Sequence, residues 1–307
     1  MKRIIVFSIC SILILSFAFR ISGEEGKEKK FAVEASIGAG LVNPDDIYKR
    51  SEGIEAMVNQ YIDYYDADST LTGEFKKVKV MIPLNLSMTY ALNKKLYLRG
   101  GLEYANGASS SEKGFLMSWP PASGSSVGGT ESQYYALNYK LSYLMPQVGV
   151  GYRVGNTFDI YGSVGLGFTR FNYTEDFAVL VNSSQTVAST LDYEVKATSP
   201  AAIFGIKYRF PLRRWDSASG AHGFIKFEYM FLNIKTLKGS KNYSADTTGG
   251  SDLTDATFYT FQWNPFGLGS FAYWESFASE PSGGDKTNIQ KMSLNLSSIR
   301  LMIGISF

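Results

Sequence analysis

The sequence predicts an all-β fold: a transmembrane antiparallel up-and-down β-barrel of eight strands, with long external loops and a short helix in the first. Three observations predict it. Apolar and polar residues alternate at period two in several segments, these segments are joined by alternately short and long connections, and the chain closes on Ile303-Gly304-Ile305-Ser306-Phe307. Period two is what a strand with two unlike faces requires. An even strand number, with short turns at one end and long loops at the other, is the arrangement of strand-built membrane barrels.

Composition points the same way. Hydrophobic residues make up 45% and charged residues 19%, which excludes a disordered chain and a bundle of membrane helices. The 21 Phe, 20 Tyr and 30 Gly suit strands, turns and crowded interiors. A single Cys10 and a single His222 leave little for a metal centre, a disulfide or His-based catalysis.

Residues 1–23 read as an export signal, leaving 24–307 as the barrel domain. Lys2 and Arg3 precede the apolar run Ile4–Phe19, and small residues follow. That run is shorter than the ~20 residues a spanning helix needs, and Arg20 closes it. Cleavage fits after Ala18 or after Gly23. Removing Lys2, Arg3 and Arg20 from 30 basic against 28 acidic residues leaves a slightly acidic balance. No nucleic-acid partner is expected.

The first strand is expected at Phe31–Ala39. Val78, Val80, Ile82, Leu84, Leu86, Met88 and Tyr90 then share one face, and Leu96, Leu98, Leu102 and Tyr104 follow the turn Leu92-Asn93-Lys94-Lys95. The unit repeats. Tyr135–Tyr143 leads through Pro146 to Val148, Val150 and Tyr152, then past Gly155-Asn156 to Phe158–Phe168. Leu191, Tyr193 and Val195 lead through Pro200 to Phe204, Ile206 and Tyr208, then to Ile225–Phe231. Pro83, Pro146 and Pro200 cannot donate to a ladder, so each is expected at a bulge or rim, and the parity change across Pro146 agrees with a bulge. The last strand is expected at Lys291–Phe307. Turns fall at 92–95, 154–157 and 211–222, and loops at about 41–74, 106–134, 174–190 and 238–288.

One face of nearly every strand is apolar, with Tyr or Phe towards its ends, as a lipid-facing surface requires. The opposite face carries Arg99, Glu103, Lys140, Arg153, Asp159, Lys196, Lys207, Lys226, Glu228 and Arg300. Such charges cannot sit unpaired in a soluble core, so they are expected to line the barrel interior. Eight strands leave an interior that side chains fill, which favours a salt-bridged network over an open pore. The basic excess would favour anions if a pore existed.

The final strand, with Ile303, Ile305 and the terminal Phe307, resembles the C-terminal targeting strand that the bacterial barrel-assembly machinery recognises. Val80-Met81-Ile82-Pro83-Leu84 through Tyr104-Ala105-Asn106-Gly107, and Met145-Pro146-Gln147-Val148-Gly149 through Gly165-Leu166-Gly167, resemble small outer-membrane porin families. The likeness is to leptospiral and other spirochaetal porin-type barrels, and more loosely to the W-type and A-type eight-stranded proteins. It covers the strands and not the loops. It implies location in the cell outer membrane, contact with lipid and lipopolysaccharide or its equivalent, and a narrow channel or a host-contacting surface. It carries over no functional residue.

Loop four holds Phe258, Tyr259, Phe261, Trp263, Phe266, Phe271, Tyr273, Trp274 and Phe277. Exposed apolar patches of that size are uncommon, and three readings stand. A hairpin turning at Asn264-Pro265-Phe266-Gly267 extends the sheet above the membrane, the same hairpin crosses the membrane to make ten strands, or the rings bind a hydrophobic ligand or partner. In loop one, Ile54, Met57, Val58, Tyr61 and Tyr65 have amphipathic-helix spacing, expected to pack over the mouth as a lid. Asp66, Asp68 and Glu74 suggest calcium, but Leu71 stands where the binding loop needs glycine, and no metal or other cofactor is expected. Gly149, Gly151 and Gly155 lack the following helix a phosphate site needs.

His222, in a short turn, is far from the external loops where barrel enzymes place their catalysis, so no enzyme is expected. Two functions remain: a narrow channel or barrel for a small solute or hydrophobic ligand, and a surface barrel displaying loops to host or envelope partners.

Overall fold

The computed structural model describes residues 30–65, 67–119, 129–182, 184–212, 221–245, 251–265 and 267–307. The expected signal with Cys10, Asp66, Phe266 and most of the 211–222 turn lie outside the described residues.

The elements in chain order are β1 (Phe31–Leu41), α1 (Asp45–Tyr65), β2 (Asp68–Gly73), β3 (Val80–Ala91), β4 (Leu96–Ser118), β5 (Thr130–Val154), β6 (Phe158–Val181), β7 (Ser184–Pro211), β8 (His222–Ile234), β9 (Lys238–Ala245), β10 (Ser251–Trp263), β11 (Phe271–Phe277), β12 (Lys286–Lys291), β13 (Leu294–Asn295) and β14 (Ser298–Ser306). All strand pairs are antiparallel.

Eight of these strands close on themselves. Following paired residues from Phe31 gives Tyr90, Leu98, Val150, Gly162, Phe204, Tyr229, Ile299 and then Leu41. The circuit returns to β1 displaced along it, from Phe31 to Leu41, a stagger of about ten residues that tilts the strands as ring closure demands. The eight expected strands thus form the ring, with β14 joining β1 as its closing pair.

The long loops are where structure departs from expectation. β4 to β7 run on past the ring, so much of 106–134 and 174–190 is strand. β2 pairs β4, β9 pairs β7, and β10 pairs β9, β11 and β12, extending the same sheet into a head. The loop-four hairpin takes the first of its three readings: Trp263 pairs with Phe271 above the ring and adds no strand to it. The expected strand from Lys291 is broken, with β13 separate from β14.

Two halves of the long strands bury opposite kinds of side chain. Between the short turns and about Leu144, Phe168 and Pro200, the outward positions are apolar and exposed: Val148 is 65% and Val164 62% exposed. Beyond that level the inward positions become apolar. Tyr135, Leu137, Tyr139, Leu141 and Tyr143 are buried, while outward Lys140 is exposed. β7 repeats this: Leu191, Tyr193 and Val195 point in, and Phe204, Ile206 and Tyr208 point out.

This inversion corrects the bulge expected at Pro146. Pairing between β4 and β5 is unbroken from Leu96↔Tyr152 through Leu102↔Pro146 to Ser118↔Thr130. The hydrophobic pattern changes parity because the apolar side chains face outward along the ring and inward in the head, with no slip in the strand. Pro83 and Pro200 also sit in register. The same inversion corrects Lys140 and Lys196. Expected in the lumen, both lie on the outer surface of the head, and the Lys196 side chain is 72% exposed beside Glu194.

Helix α1 begins after Pro44, with Asp45 and Asp46 in its first turn, where proline fits and acidic groups complement the exposed N–H groups. It packs on β11. Ile47, Tyr48, Ile54 and Val58 are buried in the head core, while Tyr65 is exposed. The approach is close: a Cβ on Gly53 would stand 2.5 Å from the Tyr273 ring.

Candidate functional site

Alternation along the ring strands turns one charged or polar side chain in every two residues towards the interior. Glu34, Arg99, Glu103, Asp159, Lys207, Lys226, Glu228 and Arg300 all meet there, none more than 4% exposed. Arg300 on β14 makes ion pairs to Glu103 on β4 and Glu228 on β8. The Tyr143 hydroxyl donates to Glu103 at 2.8 Å, and Tyr161 donates to Glu228. Lys207 on β7 reaches Glu34 on β1 at 2.6 Å and Asp159 at 2.9 Å, and Lys226 lies 3.2 Å from Glu34. Arg99 donates to Asn85 at 3.1 Å and lies 4.6 Å from the Tyr161 ring centre.

These pairs cross the interior from wall to wall. Four buried cations face four buried carboxylates, the balance that burial demands, because an uncompensated buried charge is costly. Seven of the ten expected lumen residues belong to this network. Arg153 lies at the short-turn mouth, 5.7 Å from the Tyr97 ring centre, and Lys140 and Lys196 are outside. Sequence reasoning missed Glu34, Asn85, Tyr143, Tyr161 and Arg209. Glu34 carried a usable signal, since it alternates in phase with Ser36 against the apolar face of β1.

Above the network, the head is filled by rings. Tyr139, Phe171, Tyr173, Tyr193, Phe258 and Trp274 pack together, with centroid separations such as 4.9 Å for Tyr139–Tyr173 and 5.1 Å for Tyr193–Trp274. The Trp274 indole donates to the Ile47 carbonyl of α1 at 2.8 Å, and Tyr48 donates to the Val78 carbonyl at 2.8 Å. At the centre is Arg50. Its guanidinium pairs with Glu175 at 2.6 Å and Glu275 at 2.9 Å, with the Tyr273, Trp274 and Tyr193 ring centres at 4.9, 5.4 and 5.5 Å. Arg50, Glu175 and Glu275 escaped the sequence reading, although Arg50 interrupts the apolar stripe Ile47, Ile54, Val58 of α1.

The loop-four aromatics are mainly this packing. Phe258 and Trp274 are fully buried, Tyr259, Phe261 and Phe271 nearly so, and Trp263, Tyr273 and Phe277 partly. An exposed aromatic patch is therefore corrected for these residues: β9–β11 pairing and α1 cover rings that the linear sequence leaves open.

Burial alone would raise the Glu275 carboxyl. Arg50, Lys241 at 3.2 Å and the donating Tyr193 hydroxyl outweigh it and hold Glu275 below the ordinary carboxylate range.

No protein-family model matches the chain, and no curated protein matches it. Among solved structures it is similar to the outer membrane protein OprG from Pseudomonas aeruginosa, at 14% identity over 91% of this chain and 96% of that one, with a TM-score of 0.29. It is also similar to the outer membrane protease OmpT from Escherichia coli, at 8% identity over 93% and 99%, TM-score 0.33. A third is the translocator domain of the autotransporter NalP from Neisseria meningitidis, at 10% identity over 98% and 97%, TM-score 0.21.

Proposed function

We propose that the chain is an outer-membrane barrel that anchors a folded head at the cell surface and does not itself transport solutes. The observation that carries this reading is the inversion of polarity along β5, β6 and β7. An apolar surround at one level and water at the next accounts for exposed Val148, Val164 and Phe204 on strands whose outward Lys140 and Lys196 are also exposed. On β6 the apolar outward stretch from Phe158 to Phe168 matches the 9–11 residues that cross a bilayer. Paired rings at its lower edge, Phe31–Tyr90 at 4.7 Å and Phe158–Tyr208 at 5.1 Å, suit an interfacial girdle.

Within that barrel, ion pairs crossing the interior and a helix-capped aromatic head favour display over conduction. This is the surface-barrel function of the two the sequence allows, and it agrees with the resemblance to spirochaetal porin-type barrels in location. The test is purified protein in planar bilayers, alongside protease shaving of intact cells expressing the full chain. Silent bilayers and cleavage confined to the head are expected. Steady conductance would restore the channel, and a protease-inaccessible head would remove the surface location.

A further inference from the structure

The short-turn mouth of the ring carries more positive charge than its ion pairs use. Arg209 pairs with Asp159 here, Arg153 stands beside the Tyr97 ring, and Lys30, Lys94 and Lys95 lie at the same end. The acidic side chains at this level are Glu34 and Asp159, among the described residues. Both are engaged: Glu34 with Lys207 and Lys226, Asp159 with Lys207 at 2.9 Å and Arg209 at 2.9 Å. Among the described residues a positive excess remains.

Inside this mouth is a cavity of about 20 Å³, room for one water-sized occupant. Glu34, Tyr97, Arg153, Asp159, Lys207, Arg209, His222 and Ser306 line it, with Ala32 and Thr89. Ser306 is 1% exposed, and its hydroxyl has no hydrogen-bond partner among the described residues. Arg209 Nε is likewise buried and unpartnered, although the same guanidinium holds Asp159 through Nη2. A buried hydroxyl and a buried guanidinium N–H are donors that ordinarily find an acceptor. Glu34 Oε2 and Asp159 Oδ1 of the same lining also lack a hydrogen-bond partner, but each lies within ion-pair distance of a cation, Lys226 at 3.2 Å and Arg209 at 2.9 Å, so the surplus among the described residues is of donors and positive charge.

We propose that this cavity binds one monatomic anion of chloride size, held by Arg209 and Ser306 with Arg153 and Lys207 supplying the field. Glu34 and Asp159 repel such an anion, and the cations around them, Lys207 shared by both, Lys226 and Arg209, together with the additional Arg153, offset that repulsion. Polyatomic anions such as sulfate or gluconate are excluded by volume. The site rests on the ring and its mouth, and stands whether or not the barrel crosses a membrane.

The test compares thermal unfolding of the refolded full chain in sodium chloride, sodium bromide and sodium gluconate at the same ionic strength, about 0.1 M, so that general screening is matched. A site occupied about 100-fold above its dissociation constant raises the melting temperature by several degrees, through mass action on the folded state. Chloride and bromide are expected to give that rise and gluconate none. Crystals grown in bromide are expected to show one anomalous peak against Ser306 and Arg209. Ser306→Ala, which keeps every charge, is expected to lose most of the halide increment while melting unchanged in gluconate. Arg209→Gln is expected to abolish the increment and the peak. Identical melting in all three salts, or a bromide map with only water in the cavity, overturns the proposal.

Discussion

Arg50 of α1 and Glu175 of β6 lie 2.6 Å apart in the buried centre of the head, joining a lid to a wall across 125 residues of chain. The Tyr173 hydroxyl donates to the same Glu175 oxygen at 2.6 Å. Helix α1 is thereby fixed by charge as well as by packing. An arginine on an otherwise apolar helix face is stable there only because both carboxylates and the surrounding rings were placed to receive it.

Arg50→Met removes the cation and leaves Glu175 and Glu275 facing each other in a buried site. Breaking a buried pair in this way costs about 3–5 kcal/mol. The expected outcome is a head that protease digests more readily, while the ring below keeps its heat-dependent shift on gels. Glu175→Gln together with Glu275→Gln in the Arg50→Met background is expected to restore part of the protection. No recovery would mean that packing alone holds α1.

Acid should act at the same place. The Glu275 carboxyl is held below its ordinary range in the folded head, so it adds stability above its unfolded value of about 4.3. That contribution is lost as the pH falls through the lowered folded value. Protease sensitivity of the head is therefore expected to be flat from neutrality to about pH 5 and to rise below about pH 4. Glu275→Gln should weaken the head at neutral pH and flatten the acid limb. An unchanged acid limb in that variant assigns the effect elsewhere.

How much of this was legible depends on which solvent each residue meets. The ring could be read because a strand with a polar interior side and an apolar outer side has one consistently apolar face, as in Val148–Val154 and Ile299–Ile303. The head resisted. Along 106–118 small and polar residues such as Ala108, Ser109, Ser110 and Ser111 occupy both faces, so no period marks β4 continuing. At Tyr135–Tyr143 the period was plain but its direction was not, since a sequence does not say which side is apolar. Lys140 and Lys196 were misplaced for that reason alone. Arg50 was hidden because its partners lie on β6 and β11, and no local pattern couples them.

The interior network makes a separate prediction. Arg300 is the common partner of Glu103 and Glu228. Arg300→Met leaves two buried carboxylates without their shared cation and should lower stability by about 3–5 kcal/mol in urea titrations of the protein folded into vesicles. Adding Glu103→Gln and Glu228→Gln should recover much of the loss. Replacing the whole set this way tests whether the ion pairs stabilise the ring or only satisfy charges placed inside it.

The sharpest test of the membrane reading compares two outward positions on one strand. Val148 and Asn138 both point away from the interior of β5, but Val148 lies in the apolar belt and Asn138 in the head. In a bilayer an arginine at the centre of the belt costs about 2–4 kcal/mol, falling towards zero at the interface. On a water-exposed surface either substitution changes stability by about 0.5 kcal/mol or less. Val148→Arg is therefore expected to destabilise the vesicle-folded protein by the larger amount and Asn138→Arg by almost none. Equal, small effects at both positions would place the whole sheet in water. A large effect at Asn138 would move the boundary up the strand, and with it the level at which the apolar face changes sides.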